Sequence, residues 1–289
     1  MKQKLRNTLH RIIRWAATPP PRPHDFSRDM SAYPMLNALV IEVAQTHGKN
    51  QRPYYTWSLA HAAYLAKNLG IPRISSIELG VAGGNGLIAM ENGAQVIQQA
   101  LDVQIDVIGF DTGTGLPKPQ DNRDLPNLWQ TGDFAMDEKA LRARLQRARL
   151  HLGLVQKTIP AFLRSEHAPI GFIAFDLDLY TGTAAAMALL EAPAQRILPR
   201  VQCYFDDILG YTFADFNGER LAIHDFNDTH ETRKISPIYG AKFYVPSLYQ
   251  HANWTEKLFM AHILDHPHYN HYDGLVRQPT MDIDRHIQR

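Results

Sequence analysis

Four acidic residues directly follow two apolar stretches of the sequence, and carboxylates placed in this way can bind a cation. Asp176 and Asp178 follow one stretch, and Asp206 and Asp207 follow the next. Two carboxylates about 4 Å apart repel each other by about 4 kcal/mol at an effective dielectric of 20. Neither segment contains a lysine or arginine, so a hard divalent cation with oxygen ligands is favoured, Mg²⁺ before Mn²⁺ or Ca²⁺. The alternative is that these acids cap the following helices and face water.

A glycine-rich turn, with an acid just before it, forms the second candidate site. It reads Glu78-x-Gly80-x-x-x-Gly84, and glycines in such a turn let the backbone approach a ligand closely. A dinucleotide-binding turn has the pattern G-x-G-x-x-G. Here Glu78 would repel a pyrophosphate and suits the cationic group of an amino acid. A tight turn with a purely structural role would have a similar sequence.

A third acid, Asp111, follows a further apolar stretch. At the end of the second strand of a doubly wound sheet, an acid can accept hydrogen bonds from both ribose hydroxyls of a nucleoside. The alternative role for Asp111 is to cap a turn or a helix.

The elements that must position these residues alternate between apolar strands and amphipathic helices, which is typical of a parallel sheet covered on both faces. We predict five such strands, at 74–79, 107–110, 152–155, 170–175 and 201–205. The clearest helix is predicted at 137–150, and another at about 220–230. Two last strands are predicted at 241–245 and 257–264. The pattern predicts a doubly wound, mostly parallel α/β sheet of seven strands.

Composition restricts the class of protein. The chain has 289 residues, 45% of them hydrophobic, with 30 basic and 29 acidic side chains and one cysteine. Such a chain can bury a large core, so disorder is excluded as its main state. The near-zero net charge argues against a nucleic-acid partner. The lone Cys203 cannot form an internal disulfide, and no apolar run is long enough to span a membrane. We expect a cytoplasmic protein.

The first 24 residues form a separate segment. Five basic residues and no acids accompany apolar residues at helical spacing, before a run of prolines. The pattern predicts a basic amphipathic helix and a proline linker, with a single domain at 25–289. The helix could make weak contact with a membrane surface or a partner, or pack on its own subunit or a second copy. We expect a homo-oligomer.

Five motifs, in this order, resemble the macrocin O-methyltransferase family. They are ELGV at 78–81 with Gly83-Gly84, GFDTGTGLP at 109–117, Gly132-Asp133-Phe134, DLDLY at 176–180 with Thr183, and Asp206-Asp207. The resemblance covers about residues 60–229. It implies a class I methyltransferase, Rossmann-like fold, and the predicted basic helix outside the match adds an N-terminal helical extension to it. It also implies an S-adenosylmethionine-dependent, Mg²⁺-dependent enzyme that methylates a hydroxyl of a sugar or glycosylated natural product.

The resemblance also implies a role for each site residue. Contacts to S-adenosylmethionine are implied for Glu78, Gly80, Gly84, Asp111 and Asp133. Metal binding is implied for Asp176, Asp206 and Asp207. Asp178 would be the general base, although the roles of Asp176 and Asp178 could be exchanged. His224, whose unperturbed pKa is closer to neutrality, is the alternative base.

The sequence departs from the family in the glycine turn. Residues 81–85 read VAGGN, whereas the family tends to have an aromatic residue and an arginine there. The methionine end of the cofactor is therefore expected to be held by other residues. A second departure is Pro199-Arg200, where the family usually has two glycines before the fifth strand.

Two other functions are compatible with parts of the sequence. The Asp176-x-Asp178 pair could bind the metal of a sugar-nucleotide glycosyltransferase, against which the acidic Glu78 argues. A non-enzymatic docking module would use the basic N-terminal helix. The closely spaced His262, His266, His268 and His271 lack a defined zinc signature, so we assign them a surface or core role.

Overall fold

The computed structural model describes residues 32–48 and 51–270. The predicted basic helix and proline linker at 1–24, with the membrane or partner contact expected of them, lie outside the described residues, as does His271. Within the described ranges, no helix has the length and apolar character needed to cross a membrane.

The centre of the protein is one seven-stranded sheet. Its strands are β1 (Arg73–Leu79), β2 (Gln104–Asp111), β3 (Arg149–Leu152), β4 (Ile170–Phe175), β5 (Ile197–Phe205), β6 (Arg233–Pro237) and β7 (Leu258–Ile263). The order across the sheet is β3-β2-β1-β4-β5-β7-β6. Strands β1 to β5 are parallel, and β7 runs antiparallel to both of its neighbours. This arrangement confirms the predicted doubly wound, mostly parallel, Rossmann-like sheet of seven strands.

Helices cover both faces of the sheet. They are α1 (Ala32–His47), α2 (Pro53–Asn68), α3 (Asn85–Leu101), α4 (Glu138–Arg144), α5 (Val155–Arg164), α6 (Tyr180–Ala186) and α7 (Gly218–Thr229). Short 3₁₀ turns occupy Asn122–Asp124, Met187–Glu191, Ala194–Arg196, Ala241–Phe243, Ser247–Tyr249 and Asn253–Glu256. Helices α1 to α3 pack on one face and α5 to α7 on the other. Alternate residues of β4 point to these two layers, with Phe172 in the first and Ile173 in the second.

The prediction of a helix at 137–150 is wrong at its C-terminal end. Asp137 does cap the helix by accepting a hydrogen bond of 2.9 Å from the N–H of Ala140, but α4 ends at Arg144. The carboxylate of Glu91 accepts hydrogen bonds from the next backbone N–H groups, at 3.1 Å from Gln146 and 2.6 Å from Arg147. This contact between distant parts of the chain extends the backbone, so β3 begins at Arg149 rather than at the predicted residue 152.

The strand predicted at 241–245 is also wrong. The N–H groups of Phe243 and Tyr244 bond locally, to the carbonyls of Gly240 and Ala241 at 2.9 Å each. The segment is therefore a 3₁₀ turn whose Ala241 and Val245 are buried. The sixth strand is Arg233–Pro237, directly after α7.

The proline near the start of β5 is accommodated by an irregularity in the sheet. Ile170 pairs with Ile197, but Phe172 already pairs with Gln202, so β5 has extra residues between these two pairs. A proline within a sheet is tolerated at such a bulge because no ladder hydrogen bond is required of it there.

Candidate active site

A cavity of about 400 Å³ lies at the carboxyl ends of the parallel strands. It is lined by the segments that follow β1, β2, β3, β4 and β5. The strand order reverses at β1: β2 and β3 lie on one side of it, and β4 and β5 lie on the other. Ligands of open α/β sheets bind at such a switch in strand order.

The cavity is strongly acidic. Arg52 is the one basic residue among those described in its lining. The acids that line it are Asp111, Asp133, Asp176, Asp178, Asp206 and Asp207. An excess of carboxylates favours a cationic ligand over a polyanionic one.

Asp176 and Asp206 are neighbours because the strands before them are in register. Phe175 of β4 pairs with Phe205 of β5, and the N–H of Asp206 donates to the carbonyl of Phe175 at 3.0 Å. The side chain of Asp206 accepts a hydrogen bond of 2.8 Å from the hydroxyl of Tyr204. The structure thus brings together the two acidic segments that the sequence predicted to meet.

Asp178 has a strained backbone. Its φ is 62°, and the N–H of Leu179 donates to the carbonyl of Leu177 at 2.6 Å. A three-residue turn with positive φ at its centre is rare and costs free energy for a residue with a side chain. The turn directs the chain into α6 and leaves Asp178 in the cavity lining beside the acids of β5.

Burial and mutual repulsion raise the pKa values of these acids. The pKa of Asp178 is raised to about 8 by burial and then by the carboxylates of Asp207 and Asp206. That of Asp207 is raised to about 6 by burial and by Asp206. Burial, followed by repulsion from Asp206 and Asp207, raises the pKa of Asp176 well above its ordinary value. The site therefore holds protons that a bound cation would displace.

Two basic residues from distant parts of the chain partly offset this charge. The Nη1 atom of Arg52 lies 3.5 Å from Oδ2 of Asp176, and Nζ of Lys257 lies 3.1 Å from Oδ1 of Asp206. Neither acidic segment contains a basic residue of its own, which was the reason to favour a cation. The fold nevertheless supplies two positive charges, from Arg52 before β1 and from Lys257 just before β7.

A further acid, Glu219, supports the site from the first turn of α7. Its side chain is fully buried, and Oε2 accepts a hydrogen bond of 2.8 Å from the N–H of Asp207. Burial, and then the charge of Asp207, raises the pKa of Glu219 well above its ordinary value. Oε1 of Glu219 and Oδ2 of Asp207 are both buried without a hydrogen-bond partner in the described part of the chain.

The carboxylate oxygens of the cavity are ligands that divalent metals bind in proteins. They do not, however, converge on a single metal position. Within residues 32–48 and 51–270, no group of three or more His, Cys, Asp or Glu side chains has the geometry of a metal site. The carboxylate oxygens, the unpartnered Oδ2 of Asp207 and the raised pKa values fit a hard cation in chemistry.

The glycine turn brings β1 against β4. Gly80 has a φ of 83°, and a Cβ at this position would lie 1.7 Å from the carbonyl oxygen of Asp176. Gly80 lines the cavity, whereas Gly84 does not. A Cβ on Gly84 would lie 2.0 Å from a methyl group of Leu141, so α4 packs directly on this glycine.

Glu78 lies beneath the turn, fully buried on the α2 side of β1. Its Oε1 accepts a hydrogen bond of 3.0 Å from the hydroxyl of Tyr55, and its Oε2 is buried without a partner among the described residues. Gly86 provides the space, because a Cβ there would lie 1.7 Å from Oε1. Burial raises the pKa of Glu78 to about 7.

The Asp111 carboxylate holds the turn in shape. Its Oδ2 accepts hydrogen bonds of 2.9 Å from the N–H groups of Val81 and Ala82, and its Oδ1 accepts one of 2.6 Å from Gly113. Asp111 also lines the cavity. Asp133 lines it too, and its Oδ2 accepts a hydrogen bond of 2.8 Å from the N–H of Gln130.

The histidines considered from the sequence lie elsewhere. The His224 side chain is 62% exposed, 3.5 Å from Asp228 on the outside of α7, and does not line the cavity. His262 contacts the hydroxyl of Tyr269 at 2.8 Å. His266 contacts the carbonyl of Ala194 at 2.9 Å, a structural contact between the C-terminal segment and the start of β5.

The cavity also has an apolar wall, which was not predicted from the sequence. Trp129 and Phe134 make an edge-to-face contact, with ring centroids 6.0 Å apart, and both line the cavity with Leu116 and Leu154. Phe134 directly follows Asp133 in the chain. This aromatic residue beside a predicted site acid is the feature of the sequence that could have indicated the apolar wall.

Comparison with known proteins gives similarity at the level of structure. No protein-family model and no curated protein matches the chain. The O-methyltransferase NovP is 16% identical over 61% of this chain and 72% of its own, with a TM-score of 0.46. CalS11, a calicheamicin methyltransferase, is 24% identical over 75% and 91%, with a TM-score of 0.47. An O-methyltransferase from Bacillus cereus in complex with SAH is 13% identical over 88% and 97%, with a TM-score of 0.41. At these values we base no functional inference on the likeness.

Proposed function

We propose that the protein is an S-adenosylmethionine-dependent O-methyltransferase that requires a divalent cation and acts on a hydroxyl of a sugar or glycosylated natural product. The observation that carries the proposal is the acidic cavity at the switch in strand order, with Asp178 strained into it. S-adenosylmethionine carries a sulfonium and an ammonium, so its reacting end is cationic. A cavity lined by six carboxylates and one arginine suits that charge.

The cofactor would lie across the ends of β1 and β2. Glu78, which lies beneath the turn, would accept the ammonium group through Oε2, a buried oxygen without a partner among the described residues. Gly80 lines the cavity and lets β1 pack against the carbonyl of Asp176, and Gly84 shapes the turn through its contact with Leu141. Asp111 and Asp133 would face the ribose, while the apolar wall around Trp129 would take the adenine.

Asp176, Asp206 and Asp207 would hold the metal, Mg²⁺ being the first candidate. A bound divalent cation would lower the pKa of the acceptor hydroxyl and orient it for transfer. Tyr204 and Lys257 both contact Oδ1 of Asp206, which leaves Oδ2 of that side chain for coordination. Glu219 would hold the backbone of Asp207 in place through its hydrogen bond to the N–H.

Asp178 would be the general base. Methyl transfer to a hydroxyl requires that the acceptor oxygen lose its proton at or before attack, and a base within hydrogen-bond reach must take it. Asp178 lies in the cavity, where a bound cation would favour its ionised form, which is the form that accepts a proton. His224, the alternative base, is directed to the outside of α7.

The acceptor would approach across an aromatic surface. The connection between β5 and α7 follows Asp206-Asp207 directly, and its Tyr211 and Phe216 are strongly exposed. The side chain of Asn217 fixes this connection by accepting a hydrogen bond of 3.0 Å from the N–H of Ala214. Exposed aromatic faces in the connection that follows these two acids suit a ligand with an apolar body and a hydroxylated ring.

Ligand-induced shifts of the melting temperature test the proposal, since only a ligand that binds the folded state raises it. S-adenosylhomocysteine at about 100 times its Kd should stabilise the protein by about 2.7 kcal/mol. Nucleotide sugars should add no shift to that of Mn²⁺ alone, because the acidic lining disfavours a diphosphate. A shift with a nucleotide sugar and none with S-adenosylhomocysteine would favour the glycosyltransferase alternative.

A further inference from the structure

The turn after β1 contains no basic residue, and Arg144, whose guanidinium donates to the carbonyl of Gly83 and the side chain of Asn85, does not line the cavity. Residues 81–85 read VAGGN, and all of the other charged residues described in the cavity lining are acids. Arg52, which precedes α2, is the exception. We propose that Arg52 binds the α-carboxylate of S-adenosylmethionine and so selects a cofactor with an intact amino-acid end. This inference rests on the proposed function.

The position of Arg52 fits this role. Its backbone forms the N-terminal cap of α2, where its carbonyl accepts hydrogen bonds from the N–H groups of Tyr55 and Thr56 at 3.0 and 3.2 Å. The first turn of the helix therefore fixes the backbone position from which the Arg52 side chain extends. The guanidinium reaches over the ring of Tyr55, with its Cζ 5.0 Å from the ring centroid, and lies at the cavity wall.

The guanidinium keeps capacity for a further ligand. Nη1 donates a hydrogen bond of 2.9 Å to the hydroxyl of Tyr55. It lies 3.7 Å from Oε1 of Glu78 and 3.5 Å from Oδ2 of Asp176, both longer than a charge-assisted hydrogen bond. Within the described part of the chain, Nε and Nη2 donate to no protein atom. A side chain that is 27% exposed can direct these donors into the cavity.

Arg52 and Glu78 together match the two charges of an amino acid. The guanidinium has a planar fork of donors that suits a carboxylate, and the buried Oε2 of Glu78 lacks a partner among the described residues. The two side chains are already joined through the Tyr55 hydroxyl, which donates to Glu78 and accepts from Arg52. A bound amino acid would place its carboxylate at Arg52 and its ammonium group at Glu78, so that both of its charges are paired.

The alternative is that Arg52 only neutralises Glu78 and Asp176, and calorimetry with two ligands distinguishes the roles. S-adenosylmethionine and its decarboxylated form differ in the carboxylate alone. The wild-type protein should bind the intact cofactor about 10- to 100-fold more tightly, the range for one or two charge-assisted hydrogen bonds. In Arg52→Gln the two ligands should bind equally, with little change for the decarboxylated form.

Matched variants complete the test. Arg52→Lys keeps the charge without the fork and should retain part of the preference, which also covers the case that Arg52→Gln does not fold. Arg73→Gln removes an arginine that pairs with Asp106 at the opposite end of β1 and should leave the preference intact.

Three results would overturn the inference. A wild-type preference that Arg52→Gln preserves would show that the carboxylate binds elsewhere. If Arg52→Gln lost affinity for both ligands by the same factor, Arg52 would act only on the structure of the site. Failure of the wild-type protein to bind either ligand would instead refute the proposed function, and this inference with it.

Discussion

The N–H of Asp207 donates a hydrogen bond of 2.8 Å to the carboxyl of Glu219, which is fully buried. The bond joins the end of β5 to the first turn of α7. It fixes the backbone of an acid that we propose as a metal ligand, and it places a further carboxyl behind the cavity. The contact lies between residues twelve positions apart, with the exposed Tyr211 and Phe216 in the loop between them.

Glu219→Ala should destabilise the protein because it leaves the buried N–H of Asp207 without an acceptor, at a cost of about 1–3 kcal/mol. Glu219→Gln retains an acceptor oxygen and removes a buried acid, so its stability should stay close to wild type. Thermal unfolding of the two variants, with the exposed Glu231→Ala as a control, measures the difference. If Glu219→Ala and Glu219→Gln lost the same amount of stability, the carboxyl group itself, and not its hydrogen bond to Asp207, would be what stabilises the protein.

Asp178→Asn should lower kcat by about 100-fold or more, the usual scale of general-base catalysis. Binding of S-adenosylhomocysteine should remain nearly unchanged in calorimetry, because Asp178 lies beyond the turn that would hold the cofactor. His224→Ala is the matched control, since this side chain faces Asp228 outside the cavity. If His224→Ala abolishes activity and Asp178→Asn does not, the histidine is the base.

The stability of the ligand-free protein should fall as the pH rises. The pKa of Asp178 is about 8 in the folded state and about 4 in an unfolded chain. Between these values the folded state binds more protons than the unfolded state, so the free energy of unfolding decreases with pH. This contribution is fully present below about pH 4 and is lost by about pH 8.

Asp178→Asn removes this titration. The variant should therefore melt above the wild-type protein near pH 8, by up to about 10–20 °C at about 1.4 kcal/mol per pKa unit and 2–4 °C per kcal/mol, and close to it near pH 4. Asp228→Asn, at an exposed carboxyl on α7, serves as the control, and its melting temperature should follow that of the wild-type protein at every pH. Parallel melting curves for Asp178→Asn and wild type at all pH values would contradict the raised pKa.

Gly80→Ala should prevent cofactor binding and destabilise the fold. The added Cβ would lie 1.7 Å from the carbonyl oxygen of Asp176, and the positive φ alone costs about 1–2 kcal/mol. Gly83→Ala is a control in the same turn, because a Cβ there meets no atom within 4 Å. Its melting temperature and affinity for S-adenosylhomocysteine should match wild type. Loss of binding in both variants would mean that the turn is not held as described.

The central strands could be predicted from sequence because parallel strands covered on both faces are continuous apolar runs. The predicted limits 170–175 agree with those of β4, and the last strand agrees closely with β7. The predictions failed where tertiary contacts override local pattern. Glu91 ends α4 by bonding to backbone groups more than fifty residues away, and no local feature of 137–150 reveals this.

The acids of the site were predictable and their partners were not. Asp176 and Asp206 follow apolar runs directly, and this position is visible in the sequence. Arg52 precedes Asp176 by more than a hundred residues, and Lys257 follows Asp206 by about fifty, so only the fold brings them together. The strained turn at Asp178 is also invisible, because no proline or glycine marks it.

Methyl transfer itself is the most direct test of the proposed function. The purified chain is incubated with S-adenosylmethionine carrying a deuterated methyl group and a panel of glycosides, with Mg²⁺ or with a chelator, and the products are analysed by mass spectrometry. We predict a product one deuterated methyl heavier than its glycoside, formed with Mg²⁺, lost with the chelator and lost in Asp207→Ala. Full turnover in the chelator would contradict the metal requirement, and the absence of any methylated glycoside would contradict the sugar O-methyltransferase assignment.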